Sequence, residues 1–237
     1  MSVSEKSNDY CFEKYFKIPD SFFYDISPDE KEQLCENHTC HIYNRHDMIF
    51  RKGEKPEGLM CMVRGKAKII KEGVSAREQI IRMASPPGFI GYRALFAGEP
   101  YRSSAIALEE SLVCEINRNI LFSIMENKSK LTLRILKLLA LELGFTCDRI
   151  VSLTQKHTRG RLAESLLILI DMYGYEEDNR TIKVSLQRED IATLSNMTTS
   201  NAIRTLSEFT SENIIGLNKK KIIVLDKCKL ERISKTG

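Results

Sequence analysis

Leu186 to Phe209 reads LQREDIATLSNMTTSNAIRTLSEF, and this stretch decides the fold. Ile191, Ala192 and Leu194 make the apolar face of one short helix, and Ala202, Ile203 and Leu206 that of a second. Between them stand Ser195, Asn196, Met197 and Thr198. Asparagine enters the left-handed conformation at modest cost, and a tight corner between two helices needs one such residue, here Asn196. Thr198 is an N-cap whose hydroxyl can accept from the next turn. That leaves Thr199, Ser200, Asn201 and Arg204 near the exposed start of the second helix. Short hydrogen-bonding side chains with an arginine one turn on suit insertion into a major groove. Downstream, Asn213 to Leu217 and Ile222 to Leu225 read as two short strands around a tip, Asn218-Lys219-Lys220-Lys221. That basic wing can lie on phosphates, and Arg188, opening the first helix, is a further candidate phosphate contact.

Upstream, Lys128 to Leu153 predicts one long helix with no interior proline and one glycine. Leu136, Leu139, Leu143, Thr146, Ile150 and Leu153 follow one another at three- and four-residue steps, the narrow seam of two helices packed side by side, and predict a homodimer. A second stripe, Leu131, Ile135, Leu138 and Phe145, is expected to face the preceding domain. At about 39 Å, such a helix is longer than one small domain needs. A shorter helix over 118–126 precedes it. After polar Thr154 to Arg159, another runs from about Arg161 to Tyr173 and ends at Gly174.

Residues 39–117 have a different texture. Met48 to Arg51, Leu59 to Val63, Ala67 to Lys71, Gln79 to Met83, Phe89 to Ile90, Ser103 to Ala107 and Leu112 to Ile116 read as strands. Lys52-Gly53-Glu54, Arg64-Gly65, Ser85-Pro86-Pro87-Gly88 and Gly98-Glu99-Pro100 are turn chemistry. Ahead of them, Ser27-Pro28-Asp29-Glu30 opens a helix to about Asn37 with a capping box and a proline at its first position. The chain is therefore α+β: an N-terminal antiparallel sandwich or barrel, a long dimerisation helix and a C-terminal winged helix-turn-helix. The expected domains are 1–127, 128–154 and 155–237.

Composition sets the outer limits. The 237 residues are 42% hydrophobic and 29% charged, ordinary globular usage that excludes disordered and fibrous classes. No apolar run reaches the roughly 18–20 residues of a membrane span, and the polar N-terminus lacks a secretory signal, so a cytoplasmic protein is expected, with no membrane partner. Seven cysteines cannot all pair within the chain, and free buried thiols are the expectation in a reducing compartment. The net charge is +4, and residues 156–237 hold 14 Lys+Arg against 11 Asp+Glu, so the positive bias falls where nucleic acid would bind.

This order of parts resembles the CRP/FNR family of bacterial transcription regulators from about Cys40 to Leu225, which implies that the strands form an N-terminal antiparallel β-roll. Met48-Ile49-Phe50-Arg51-Lys52-Gly53-Glu54 resembles the family's entry to the roll, and Val63-Arg64-Gly65-Lys66-Ala67 its next hairpin. Gly88-Phe89-Ile90-Gly91 through Leu95-Phe96, closing on Arg102-Ser103, resembles the phosphate-binding cassette. Gly160-Arg161-Leu162-Ala163 resembles the start of the DNA-binding domain, and Arg188 through Leu206 its helix-turn-helix. The resemblance implies a homodimer on palindromic double-stranded DNA, with RNA polymerase as a partner and an effector in the roll that reorients the reading heads.

Residue by residue, Gly91, Arg102 and Ser103 match the cyclic-AMP cassette, whereas its ribose-binding glutamate falls on Tyr92, followed by Arg93. A ribose hydroxyl left without its acceptor costs about 1–3 kcal/mol, about 5- to 150-fold in affinity, which argues against cyclic AMP. Arg102 points to a small anionic effector, the alternative being a salt bridge to a nearby carboxylate such as Glu99. Thr146 and Cys147 fall where the family's long helix touches the nucleobase. In the reading helix, Thr199 and Ser200 stand where the family often has arginine and glutamate, and only Arg204 keeps its type, so a different operator is expected.

Cofactor chemistry is weighed on the same residues. The family's oxygen-sensing branch holds an iron–sulfur cluster on three clustered N-terminal cysteines and a fourth in the roll. Here Cys11, Cys35, Cys40, Cys61 and Cys114 include no C-x-x-C pair, which argues against a cluster. Cys35, His38, Cys40, His41 and His46 match no standard zinc spacing and read as surface histidines and buried thiols, with no metal site assigned; haem stays open. Residues 47–117 contain no histidine, unlike a catalytic cupin barrel, and no nucleophile motif or phosphate loop is present, so no enzyme is expected. The rival is a ligand-, redox- or haem-sensing module acting through protein partners without DNA.

Overall fold

The structure, a computed structural model, describes residues 16–17, 22–24, 26–74 and 77–236. The polar N-terminus and Cys11 lie outside the described residues. The chain forms two compact units. One holds the described residues up to Lys71 together with Arg82–Glu142, and the other Glu72–Ile81 with the described residues from Leu143 on.

The first unit opens with α1 (Pro28–Glu36). Its box is formed as predicted: the Ser27 hydroxyl accepts from the Glu30 N–H (3.3 Å), and the Glu30 carboxylate accepts from the Ser27 N–H (2.9 Å). Two four-stranded sheets follow. One has the order β1 (His38–Tyr43), β8 (Ser111–Asn117), β3 (Gly58–Arg64), β6 (Phe89–Ile90). The other has the order β2 (Met48–Phe50), β7 (Ser104–Ala107), β4 (Ala67–Glu72), β5 (Glu78–Ala84). The pairs β1–β8, β3–β8, β3–β6, β2–β7 and β4–β7 are antiparallel, which makes the predicted β-roll.

Strand alternation divides the core. Val113 and Met62 point into a cluster with Phe50, Ile69, Ile90 and Tyr101 between the sheets. Cys114, Ile116, Leu59 and Cys61 point the other way, onto Leu121 and Ile124 of α3 (Arg118–Asn127) and Leu131 and Ile135 of α4 (Ser129–Gln155). Being buried on both faces is why these strands read as unbroken apolar runs. Gly65 must be glycine: it lies at φ +87°, and an added Cβ would sit 2.2 Å from the Ser111 hydroxyl.

In the second unit, α5 (Thr158–Tyr173), α6 (Arg188–Leu194) and α7 (Thr199–Ser211) bury Leu162, Ala163, Leu166, Ile191, Leu206 and Phe209. A wing follows, β9 (Ile215–Asn218) with β10 (Lys221–Val224), and α8 (Lys227–Thr236) closes the unit against α5. The fold is thus the predicted one: antiparallel sheets, a long helix and a winged helix-turn-helix.

Several expectations are corrected. Cys40 and Cys114 are joined as a disulfide, not held as free thiols, because β1–β8 pairing sets residues 74 apart directly opposite each other. Phe145 is exposed, where the second stripe put it against the roll; only Leu131, Ile135 and Leu138 reach that core, together with Leu139 from the seam. Phe145 falls in the part of α4 that belongs to the second unit. Ile203 is 48% exposed, and Thr205, 2% exposed, takes its place inside. Thr158, not Arg161, starts α5, since extended His157 alone ends the break. Strand β1, helix α2 (Tyr92–Ala97) and α8 are additions.

Candidate nucleic-acid interface and effector site

The corner between α6 and α7 is built as its residues dictate. Asn196 takes φ +50°, and the next N–H, of Met197, donates to the Ala192 carbonyl (3.0 Å), folding the chain back under α6. Thr198 is extended, and its hydroxyl accepts from the Asn201 N–H (3.2 Å). Ala202, Thr205, Leu206 and Phe209 turn inward. Thr199, Ser200, Ile203, Arg204 and Ser207 are therefore exposed on the outward face, beside partly exposed Asn201. Arg204 donates to the Asn201 side-chain oxygen (3.3 Å), which holds two candidate base-reading groups together.

Arg188, a candidate phosphate contact, is engaged within the protein: its guanidinium donates to the Lys219 carbonyl (2.9 Å) and so braces the wing tip on α6. Lys219 itself lies at φ +53°, making the tight turn between β9 and β10. Lys219 and Lys220 are exposed, and Lys221 pairs with Glu176 at 2.8 Å. Two arginines that local sequence could not nominate hold the C-terminal end of α6. Arg149 donates to the Leu194 carbonyl (2.7 Å) and Arg161 to that of Ser195 (3.1 Å), cations placed on the negative end of a helix. Burial pushes the Arg149 guanidinium down from its usual range, and the nearby Glu164 carboxylate opposes that shift.

On α4, Leu136, Leu143 and Ile150 are each more than half exposed, Thr146 is exposed, and Leu139 and Leu153 are half-buried. Leu133, Leu141 and Val151 are also exposed.

In the roll, Gly91 is the N-cap of α2 at φ +71°; an added Cβ would meet the Tyr101 ring at 2.7 Å. Arg93 and Arg102 both pair with Glu99, Arg102 at 2.6 Å, and their hydrogen bonds, Arg93 first, hold the Glu99 carboxylate below its usual range. Arg102 thus makes the salt bridge to Glu99 that its sequence neighbourhood offered as the alternative task. Ser103 is half-buried beside it. Tyr92 is buried, and its hydroxyl accepts from Arg82 (2.8 Å), whose guanidinium also lies over the Tyr92 ring and pairs with Glu142 of α4 at 2.7 Å. Burial pushes the Tyr92 phenol up to about 12, against the opposing pull of Arg82. Thr146 and Cys147 are exposed on α4, in the part of the helix that belongs to the second unit.

Comparison with known proteins agrees with this geometry. The cyclic nucleotide-binding domain family matches residues 40–128, and the Crp-like helix-turn-helix domain family matches residues 160–233. A CRP-like cAMP-activated global transcriptional regulator of Mycobacterium tuberculosis is 26% identical over 191 residues, 80% of this chain and 85% of that protein. The fumarate and nitrate reduction regulatory protein of Vibrio cholerae is 26% identical, covering 78% of this chain and 74% of its own length. The structure of FixK2 from Bradyrhizobium japonicum superposes with a TM-score of 0.75 at 21% identity, over 83% of this chain and 96% of that one.

Proposed function

The chain belongs to the CRP/FNR family of transcription regulators, with a cyclic-nucleotide-binding-type sensing domain and a helix-turn-helix DNA-binding domain, and from that premise we propose that it acts as a homodimer on a palindromic operator. The observation that carries this is the capped, outward face of α7. A buried side supports it, and its exposed groups sit in the first two turns, where a groove-inserted helix presents them. Thr199, Ser200, Asn201 and Arg204 read base edges, and exposed Ile203 adds an apolar contact suited to a thymine methyl. Arg188 and Lys219 to Lys221 set the wing on phosphate. The α4 seam joins two copies, so that the two reading helices fall about one helical turn of DNA apart.

The roll is the effector module of a cytoplasmic regulator, and its state reaches the dimer helix through Tyr92, Arg82 and Glu142. An anionic effector binds Arg102 by displacing Glu99, with Gly91, Arg93 and Ser103 around it. Tyr92 offers a ribose no carboxylate and is already engaged by Arg82, which argues against cyclic AMP. RNA polymerase is the downstream partner by family.

Selection of bound sequences from random DNA tests the DNA-binding proposal. An enriched inverted repeat with half-site centres about one turn apart is the expected result. Recovery of the starting pool unchanged would leave the protein-partner alternative in its place.

A further inference from the structure

Three cysteines stand in one row across the first sheet. Cys40 of β1 and Cys61 of β3 are both register partners of Cys114 on β8, and residues directly opposite in a sheet share a face. Cys114 is already bonded to Cys40, with Cα atoms 4.1 Å apart, the close spacing of a non-hydrogen-bonded antiparallel pair. Cys61 does not compete for it: fully buried, it donates its S–H to the Leu59 carbonyl (3.8 Å), and burial pushes its thiol well above the usual range. Cys114 is buried, whereas Cys40 is half-buried on the edge strand, so an external reagent meets the Cys40 sulfur first. His38, two residues earlier on the same face, has its ligand nitrogen and both sulfurs within 4.8 Å of one another, and its Nδ1 lies 2.6 Å from the Cys35 carbonyl. A disulfide in a protein that works on cytoplasmic DNA sits where thiols are normally kept reduced, and such bonds are usually transient and sensing.

We propose that Cys40 and Cys114 are a reversible thiol–disulfide site through which disulfide-class oxidants and dithiol reductants set the seating of α4 on the roll. This rests on the DNA-binding function proposed above. Oxidation runs from two thiols and one small disulfide. The Cys40 thiolate attacks the oxidant and expels one thiolate. The Cys114 sulfur then attacks Cys40 Sγ and expels the second, and the two thiol protons end on the two released thiolates. A dithiol reverses both steps, entering at Cys40. The bond matters because of what it ties down. It clips edge strand β1, and with it α1, to β8, which runs directly into α3 and then α4. Cys114 lies in the same core cluster as Leu121, Ile124, Leu131 and Ile135, the residues that seat those helices, and Cys40 packs against it.

The test uses the full chain, equilibrated with dithiothreitol or with oxidised glutathione, each with a metal chelator. Differential alkylation read by mass spectrometry reports the pair, hydrogen exchange reports β1, and fluorescence anisotropy on the selected operator reports DNA affinity. Cys40 and Cys114 should alkylate only after reduction, with faster exchange in β1. Oxidised protein should bind DNA at least about fivefold more tightly, the lower end of common allosteric couplings. Cys40→Ser, at the half-exposed position, should abolish the difference, and Cys147→Ser on α4 should keep it. Equal affinities in the two states, equal alkylation in both, a response that survives in Cys40→Ser, or one that appears only when zinc replaces the chelator would each overturn the proposal. If no operator is enriched, the DNA function fails, and alkylation and exchange still decide whether the pair switches and loosens β1.

Discussion

Arg149→Met is the substitution whose cost follows most directly from the geometry. The Arg149 side chain is 9% exposed and leaves α4 to donate to the Leu194 carbonyl at 2.7 Å and to lie 3.4 Å from Glu164. Glu164 also accepts from Lys156 (3.1 Å) and from the Ser152 hydroxyl, so it keeps part of its compensation when the arginine goes. The Leu194 carbonyl, at the end of α6, has no such reserve in its interaction with Arg149. Methionine fills most of the volume, which leaves the electrostatic loss as the main effect. Removing one member of a buried pair costs ~3–5 kcal/mol. For a chain of this length that corresponds to a melting point lower by ~6–20 °C. Urea unfolding at one fixed protein concentration measures the free energy without the complication of changing dimer fraction. Adding Glu164→Gln should cost less than the sum of the singles, because the second change removes the charge that the first left half-paired. A single-variant loss below ~1 kcal/mol, or strict additivity of the two, would refute the claim that this pair anchors the reading head to α4.

Arg204→Ala should relax sequence preference at one base pair per half-site, while Lys220→Ala weakens all sequences alike and reduces the salt slope by ~1; identical behaviour in a competition assay would erase the distinction between reading and positioning residues. Leu143→Glu with Ile150→Glu should give a monomer by light scattering that holds a half-site no worse than the parent, and a dimer persisting in that variant would remove the α4 seam. Asp178 is held at about 2 by the Thr181 hydroxyl first, then by the N–H groups of Thr181 and Arg180. Because this folded value is depressed, its stabilisation is complete above the ordinary ~3.9 and disappears as pH falls toward 2. Asp178→Asn should therefore lose less melting temperature than the parent between pH 4 and pH 2, and parallel curves would show that the loop does not depend on that carboxylate.

What the sequence could show was whatever a few neighbouring residues determine together. Asn196 and Thr198 define the corner because a left-handed residue and a cap act within four positions. Strands β3 and β8 stood out because burial on both faces removes polar residues from a short run. Strand β1 did not, since an edge strand carrying His38, Thr39 and His41 has polar side chains mixed with apolar ones. The disulfide was invisible for another reason: Cys40 and Cys114 meet only through sheet register, and nothing local to either cysteine encodes its partner.

Ile203 and Thr205 show where periodicity misleads in a way that bears on function. A simple apolar pattern puts isoleucine inside and threonine outside, but the fixed corner at Asn196 and the inward positions of Ala202, Leu206 and Phe209 set the helix phase. Residue 205 then faces the core whatever its type. The phase is decided by three apolar residues, Ala202, Leu206 and Phe209, against one, and a buried threonine can satisfy its hydroxyl within the helix, so the cost of the exchange stays small. An isoleucine left 48% exposed beside Ser200 and Arg204 loses burial that the threonine position could have supplied. About half of its side chain is left open for an apolar contact. A methyl-bearing base edge would supply that contact, which is why Ile203 joins the residues proposed above to choose the operator.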